Sequence, residues 1–371
     1  MTHAGKLVAL KSLGKLVYEE DLEGAPSLSR SLRQVGDFDV GVGTLFDLAS
    51  LTKAVVTTIM AMILYERGLL ELDAPVSGRL SEFLTDDPRR RTVTFRMLLA
   101  HSSGLPAYEK LFVKAPGRDL LLHAAFRTAL TAEPGTRAEY SDIGFIILGV
   151  ALERIAGEPL DTFCQREIFG PLGMSNTTFN PPRELRARIP PTADEREECG
   201  AGAPAREMPT ASPQSSGGHQ KPRSTFRKRI IRGEVQDENA FVLGGVAGHA
   251  GLFSTAEDVA RFAHVMISGG VPILRPETIA LFTRRESTPP GTSRALGWDT
   301  PSSPSQSGTR FGPRSYGHLG YTGTSLWIDP DRQLSITLLT NRTWPDCSNQ
   351  AIKRVRPQFH DAVVESLEKL R

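Results

Sequence analysis

Two stretches of the chain place apolar side chains around most of the circumference of a helix. Residues 50–67 carry valine, isoleucine, methionine and leucine on nearly every face, and Gly68 follows where a helix C-cap would stand. Residues 142–156 repeat this pattern and are closed by Gly157. Pro159 then fits the first turn of a third helix. The pattern predicts two helices that are buried on all sides, at the centre of a large core.

Alternating apolar and polar positions predict strands near both ends of the chain. Residues 7–18 predict an early hairpin. Residues 315–341 also alternate as strands do, and the sequence Asp-Pro-Asp-Arg at 329–332 is typical of a turn. This turn separates two predicted strands, at 325–328 and 334–339.

Two further helices are predicted in the C-terminal half. Ser254 and Glu257 have the spacing of a capping box ahead of an apolar stripe. Residues 357–371 form an amphipathic pattern with helical spacing. Helices also dominate the middle of the chain, whereas strands lie at both ends. This order predicts an α+β fold with a mostly antiparallel sheet flanked by helices.

The same order predicts how the chain is divided into domains. Residues 1–70 and 240–371 are expected to form one discontinuous sheet domain, and residues 71–239 an inserted all-helical domain. Residues 199–223 are almost wholly glycine, alanine, proline, serine, threonine and polar residues, which is typical of a mobile or disordered loop.

Composition narrows the class of protein. The 371 residues are 39% hydrophobic and 23% charged, with a formal net charge of +2. These values exclude a globally disordered chain and argue against nucleic acid or an anionic membrane as the main partner. Cys164, Cys199 and Cys347 are widely spaced, so neither a disulfide framework nor a zinc site is predicted. No apolar stretch is long enough to span a bilayer and no signal peptide is recognisable, so a cytoplasmic location is expected; a longer N-terminus would change this to export.

A serine three residues before a lysine is the first candidate for catalysis. Ser50 and Lys53 begin the buried helix predicted at 50–67, where this spacing places both side chains on one face. The helix N-terminus favours developing negative charge, and burial disfavours charge on the lysine, as a general base requires. The same spacing recurs at 12–15 and 366–369, where a turn and a chain end replace this context. Ser50 and Lys53 are therefore predicted as the nucleophile and a base.

Two more elements supply candidate site residues. Tyr140, with Asp142 two residues later, stands at the entry of the second buried helix, and its phenol can relay the proton of a nucleophile. His318 begins a His-Leu-Gly-Tyr segment in a predicted strand. Gly320 lets this strand edge approach a substrate closely, and the amide of Tyr321, with that of the nucleophile, can form an oxyanion hole.

The motifs S-x-x-K, Y-x-x and [KH]-x-G, in this order, resemble those of the penicillin-recognising serine hydrolases. The closest similarity is to the class C β-lactamase-related family, which includes β-lactamases, esterases, D-aminopeptidases and DD-peptidases. Four further stretches are similar to that family, at residues 46–53, 98–105, 169–174 and 248–254.

This resemblance implies a β-lactamase/transpeptidase-like fold and a mechanism through an acyl-enzyme. Ser50 would attack a carbonyl, and Lys53 and Tyr140 would share the general-base work. The substrate-binding and oxyanion residues carried over are Asp142, His318, Gly320 and Tyr321. The resemblance implies neither a cofactor nor a metal, and it implies structural roles for His101 and His249.

Three residues depart from the family pattern. Asp142 stands where asparagine is commoner, His318 where lysine is usual, and Leu319 where a threonine or serine hydroxyl is usual. A carboxylate at Asp142 favours the charged form of Lys53, which would shift base duty toward Tyr140. The site would also lack one fixed cation and one hydrogen-bond donor for a substrate carboxylate. We therefore expect neutral esters or amides to be better substrates than anionic β-lactams or peptidyl-D-alanine.

Three functions remain open from the sequence. The first is an esterase-like serine hydrolase acting on small-molecule esters or amides. The second is a β-lactamase, D-amino-acid peptidase or DD-carboxypeptidase. The third is a non-catalytic relative that keeps the fold as a binding or scaffolding module. The sequence does not indicate an oligomeric state.

Overall fold

The computed structural model describes residues 1–18, 39–196 and 226–369. The loop predicted at 199–223 lies outside the described residues. None of the described helices is both long enough and apolar enough to cross a membrane.

A five-stranded antiparallel sheet joins the two ends of the chain. Its strands are β1 (Thr2–His3), β2 (Lys6–Leu7), β3 (Tyr316–Leu319), β4 (Ser325–Asp329) and β5 (Leu334–Leu338). Their order across the sheet is β2-β1-β5-β4-β3, so β1 lies directly beside β5. The two strands and the turn predicted around 329–332 are confirmed, because β4 and β5 pair along their whole length.

The predicted hairpin at 7–18 is wrong in position. The structure forms a hairpin from β1 and β2, with a two-residue turn at Ala4 and Gly5 that takes φ values of +46° and +78°. Turns of this kind favour asparagine, aspartate or glycine at the first position, and an alanine there gave no sequence signal. Of residues 8–18, only Lys15 makes a β-bridge in the described structure, with Asp39.

Two buried helices form the centre of the molecule, as predicted. The first, named here the serine helix, starts as a π-helical turn over Lys53–Thr58 and continues as an α-helix over Ile59–Glu66. The second, named the central helix, spans Asp142–Ala156 and ends at Gly157, whose φ of +75° is left-handed. Both helices bury apolar side chains in the main core, because their apolar residues face all directions.

Shorter helices and strands surround this centre. The helices are Phe95–Leu99, Leu111–Lys114, Arg118–Arg127, Leu160–Cys164, Glu238–Val242, Ala256–Ile267, Pro276–Thr283 and Ile352–Glu368, with a π-helical turn at Gln165–Phe169. Short 3-10 segments lie at Val76–Gly78, Ser81–Phe83, Pro88–Thr92 and Arg183–Arg188. The small sheets pair Leu252–Ser254 with Phe46–Asp47 and Thr178–Phe179, and Ala193–Asp194 with Ile230–Ile231.

Three helix starts differ from the sequence-based expectation. Ser254 ends a strand, and Thr255 caps the next helix because its hydroxyl oxygen accepts a hydrogen bond from the amide of Asp258. Pro159 is the N-cap of its helix rather than a residue of the first turn. The C-terminal helix begins at Ile352, five residues earlier than expected, and contains Pro357. The division into domains at residues 70 and 240 stays a prediction.

Candidate active site

The turn before the serine helix is fixed by a buried carboxylate. Asp47 accepts hydrogen bonds from the amides of Ala49 (2.8 Å) and Gln236 (2.7 Å). Burial raises the pKa of Asp47 to about 6, against the lowering effect of these two bonds. Ala49 has a φ of +48°, and this left-handed step turns the chain so that Ser50 stands at the start of the serine helix.

The three predicted catalytic residues converge on one oxygen. Lys53 Nζ donates a hydrogen bond to Ser50 Oγ at 2.9 Å, and the Tyr140 hydroxyl donates to the same oxygen at 2.7 Å. The S-x-x-K spacing explains the first contact, since it lies within one turn of helix. The second brings together residues ninety positions apart in sequence. This geometry is suited to removing the serine proton during nucleophilic attack.

The lysine is held as an ammonium by buried acceptors. Lys53 is fully buried, and its Nζ lies 2.7 Å from Asp142 Oδ1 and 3.0 Å from the carbonyl oxygen of His249. Asp142 is the first residue of the central helix, where the helix N-terminus also favours its carboxylate. The expected pairing of Asp142 with Lys53 is thus present in the structure.

A close approach of two backbones places the carbonyl of His249 at this site. A Cβ on Gly149 would lie 2.9 Å from the Cα of Gly248, so the central helix and the 248–251 loop touch through glycines. The side chain of His249 hydrogen-bonds Asp237 Oδ1 through Nε2 at 2.8 Å. These contacts fit the structural role that the resemblance implies for His249.

Tyr140 lies on a stack of aromatic and charged groups. Its ring centroid is 4.6 Å from that of His101 and 4.8 Å from Lys53 Nζ. Burial, and then the charge of Asp142, raise the pKa of Tyr140 well above its usual value. The resting phenol therefore keeps its proton and donates it in the hydrogen bond to Ser50.

His101 contacts the ring of Tyr140 and holds the backbone beside it. Its Nδ1 accepts a hydrogen bond from the amide of Ser141 at 3.0 Å, and its carbonyl oxygen accepts one from Glu139 at 2.8 Å. Burial lowers the pKa of His101 well below its usual range, so the ring is neutral. Its two bonds fix the backbone on both sides of Tyr140, which fits the structural role implied for it.

His318 carries no charge at neutral pH. Burial lowers the pKa of His318 to about 4, and its Nδ1 lies 2.8 Å from the carbonyl oxygen of Leu319. That contact assigns the ring proton to Nδ1, because a carbonyl only accepts. The expected loss of a fixed cation at this position is therefore seen in the structure.

Gly320 brings the end of β3 against the start of the serine helix. A Cβ at this position would lie 2.5 Å from the carbonyl oxygen of Leu48 and would overlap Thr324. Thr324 and Thr322 donate their hydroxyl protons to the carbonyls of Leu48 (3.0 Å) and Asp47 (2.7 Å). The close approach is therefore to the chain before Ser50, and it holds the segment with Tyr321 beside the nucleophile. The oxyanion role of the Tyr321 amide stays a prediction.

Four cationic residues at the site were not predicted from the sequence. Arg294, Arg342, Lys353 and Arg356 line the same cavity of about 330 Å³ as Ser50. None of them lies in a recognisable motif. A signal existed for Arg356, because it occupies the buried face of the C-terminal helix, where the spacing otherwise demands apolar residues.

Comparisons with known proteins agree on one family. The family model described as Beta-lactamase matches residues 2–356. The "Putative D-alanyl-D-alanine carboxypeptidase" of Escherichia coli (strain K12) is 31% identical over 348 residues, which cover 88% of this chain and 76% of that protein. The N-acetylmuramyl-L-alanine amidase of Bacillus subtilis (strain 168) is 32% identical over 367 residues, covering 91% and 75%.

Solved structures show the same fold. EstCE1, a hydrolase with promiscuous acyltransferase activity, has a TM-score of 0.64 and 25% identity, with 87% of each chain covered. A class C beta lactamase from Rhodobacter sphaeroides has a TM-score of 0.63 and 20% identity, covering 99% of this chain and 93% of that one. The protein is therefore an enzyme, a serine hydrolase, as predicted from the sequence. It belongs to the beta-lactamase family of serine hydrolases and has the β-lactamase/transpeptidase-like fold.

Proposed function

We propose that the protein forms an acyl-enzyme on Ser50 and hydrolyses an amide or ester of a small molecule that carries a carboxylate. The observation that carries this proposal is a set of three cations, Arg342, Lys353 and Arg356, named here the cationic wall. They line the cavity of Ser50. Within the described chain, none of them forms an ion pair with a carboxylate.

The cationic wall is built on backbone carbonyls near the proposed oxyanion site. Arg356 donates to the carbonyls of Gly320 (2.5 Å) and Thr324 (3.0 Å), and Arg342 Nε donates to that of Tyr321 (2.8 Å). Burial lowers the pKa of Arg356 to about 9, which still leaves it charged at neutral pH. The wall therefore keeps a net positive charge on the Tyr321 side of the cavity.

The acidic residues of the cavity do not cancel this charge. Asp142 is paired with Lys53 and Asp299 with Arg294, so Asp237, which hydrogen-bonds His249, is the remaining aspartate of the cavity lining against three cations. An anionic group on the substrate is the complement that the wall lacks, and charge-assisted hydrogen bonds to carboxylates are among the strongest that proteins make. The cationic wall thus supplies the positive charge that is missing at position 318. It argues against the expectation, made from the sequence, that neutral substrates are preferred.

The relatives support amide and ester chemistry together. The Escherichia coli relative is named a putative D-alanyl-D-alanine carboxypeptidase and the Bacillus subtilis relative an N-acetylmuramyl-L-alanine amidase, and both names refer to cleavage of an amide bond. EstCE1 is named a hydrolase with promiscuous acyltransferase activity. In the proposed reaction Tyr140 first releases its own proton to water, and the proton of Ser50 then moves to the phenolate oxygen as Ser50 Oγ bonds to the substrate carbonyl carbon, beside the ammonium of Lys53. The same proton then goes to the leaving group, and water repeats the sequence to release the acid.

The experiment is a pair of substrates that differ in one charge. p-Nitrophenyl butyrate and p-nitrophenyl hemisuccinate have the same leaving group and nearly the same size, but only the hemisuccinate carries a carboxylate. We expect kcat/KM for the hemisuccinate to be larger by about 10-fold or more, the value of one charged hydrogen bond. Ser50→Ala should abolish the acyl adduct in intact-mass spectra.

Adjacent residues of one helix provide the matched control. Lys353→Met should lower the ratio of kcat/KM for hemisuccinate over butyrate, whereas Arg354→Met should leave the ratio unchanged. Both side chains are exposed, but only Lys353 lines the cavity. Preference for the butyrate in the unmodified enzyme would contradict the proposal. That result would instead support an esterase that acts on neutral substrates, a function that the uncharged His318 also favours.

A further inference from the structure

Arg294 is a buried cation that no step of the proposed reaction uses. It is 6% exposed and lies in a segment that extends the sheet, with β-bridges from Arg294 to Asp299 and from Asp299 to Gly317 in β3. Its Nη1 donates to the Asp299 carboxylate. Its guanidinium carbon lies 5.4 Å from the centre of the Tyr140 ring. The ion pair therefore fixes a positive charge over the tyrosine that contacts Ser50.

We propose that Arg294, held by Asp299, is a positioning residue whose charge stabilises the phenolate form of Tyr140 that accepts the proton of Ser50. This inference rests on the proposed acyl transfer at Ser50. The resting phenol of Tyr140 first loses its proton to water, and this is the ionisation that the charge of Arg294 favours. As the bond then forms between Ser50 Oγ and the carbonyl carbon, the O–H bond of Ser50 breaks and its proton moves to the phenolate oxygen. The bond between the carbonyl carbon and the leaving group then breaks, and the tyrosine gives this proton to the leaving group, so that it ends the step as a phenolate again.

The charges that face Tyr140 show why a second cation is needed. Lys53 is the nearer cation, but Asp142 lies 2.7 Å from it and opposes its effect. Both neighbouring histidines are neutral, because burial lowers the pKa of His101 well below its usual range and that of His318 to about 4.

Arg294 is the remaining charge of favourable sign. It lowers the pKa of Tyr140, as the hydrogen bond with Ser50 also does, whereas Asp299 raises it to a smaller extent. Nη1 is the only guanidinium nitrogen of Arg294 with a hydrogen-bond partner among residues 1–18, 39–196 and 226–369. The pair thus leaves a net effect that favours the phenolate, because the lowering effect of Arg294 on the pKa of Tyr140 is larger than the raising effect of Asp299.

The kinetic test uses the neutral substrate p-nitrophenyl butyrate, so that the charge of the substrate does not enter. Arg294→Met should lower kcat/KM about 10-fold at neutral pH and move the acid limb of its pH profile up by about one unit. Arg294→Lys should keep the limb near that of the unmodified enzyme, and Asp299→Asn should move it down. A loss that is equal at every pH, or an Arg294→Lys variant that behaves as Arg294→Met does, would overturn the proposal.

A spectroscopic test needs no turnover and is therefore independent of the proposed function. Replacing Tyr140 by 3-nitrotyrosine gives a phenol whose ionisation is visible in absorbance and occurs at lower pH than that of tyrosine. The ionisation midpoint should be higher in Arg294→Met than in the protein with Arg294, and Arg294→Lys should restore the lower value. Equal midpoints in folded protein would refute the role of Arg294 even if the enzyme is an active hydrolase. If Arg294→Met fails to fold, Asp299→Asn carries the same test with the opposite sign.

Discussion

The ion pair between Asp142 and Lys53 offers the sharpest test of how the site is tuned. Asp142→Asn removes one negative charge and keeps an oxygen that can accept from Lys53 Nζ, now 2.7 Å away. The change acts on both candidate bases in the same direction. It withdraws the charge that stabilises the ammonium of Lys53, and it removes a charge that raises the pKa of Tyr140.

The size of the effect follows from the distance. Two unit charges about 2.7 Å apart interact by roughly 6 kcal/mol at an effective dielectric constant of about 20. This is an upper value, because the neutral amide keeps a dipole directed at the ammonium. Opposite charges at such distances commonly shift ionisation by about 1–3 units, or roughly 1.4–4 kcal/mol. We therefore expect the acid limb of the acylation rate to move to lower pH by about 1–3 units.

The assay is the pre-steady-state burst of p-nitrophenol from p-nitrophenyl butyrate between pH 5 and 9, with intact-mass detection of the acyl-enzyme. Asp73→Asn is the matched control, because Asp73 forms an exposed ion pair with Arg96 on the surface, where such pairs matter little. An acid limb that stays in place or moves to higher pH in Asp142→Asn would refute the reasoning. The variant also leaves a buried lysine without its counterion, so its thermal stability should fall.

Two further predictions concern the fold that supports the site. Gly248→Ala would force a Cβ onto the carbonyl oxygen of Phe145. We therefore expect a loss of about 1–3 kcal/mol in unfolding free energy and a lower acylation rate, both measured against the unmodified enzyme. Unchanged stability would contradict the close approach of the two backbones. Burial lowers the pKa of His360 to about 4. Between about pH 6.5 and pH 4 the unfolded chain therefore binds a proton at this residue that the native state does not bind. The free energy of unfolding should fall by roughly 3 kcal/mol over this range because of His360. Urea unfolding at several pH values should show a flatter dependence in His360→Gln, and equal slopes would count against this origin.

Sequence patterns best predicted the elements whose structure depends on a single physical rule. The serine helix and the central helix have apolar residues on all sides and a glycine at the end, and both formed within three residues of the expected bounds. The convergence of Ser50, Lys53 and Tyr140 followed from spacing and from the resemblance. The structure shows them within hydrogen-bond distance, while their catalytic roles stay predictions.

The features that were missed depend on distant parts of the chain. The hairpin of β1 and β2 turns at an alanine with positive φ, and its place beside β5 is decided by tertiary pairing rather than by local propensity. Arg294 and Arg356 reach the cavity from a short bridge and from the C-terminal helix. An isolated arginine in a sequence gives no indication of whether it faces solvent or a site. The positive charge of the cavity, which depends on these arginines, was therefore not predicted.

The pairing of β1 with β5 has a consequence for how the protein is made. Thr2 lies opposite Ser335, and their hydroxyl oxygens are 2.6 Å apart. At about 5–20 residues per second, a ribosome that has added Ser50 needs roughly 10 to 50 seconds more to reach His318. During that time the serine and lysine exist without the sheet edge that faces them. The first strand of the chain is among the last to find its partner, so a nascent chain stopped before Ser335 exposes an unpaired edge and holds an incomplete hydrolase.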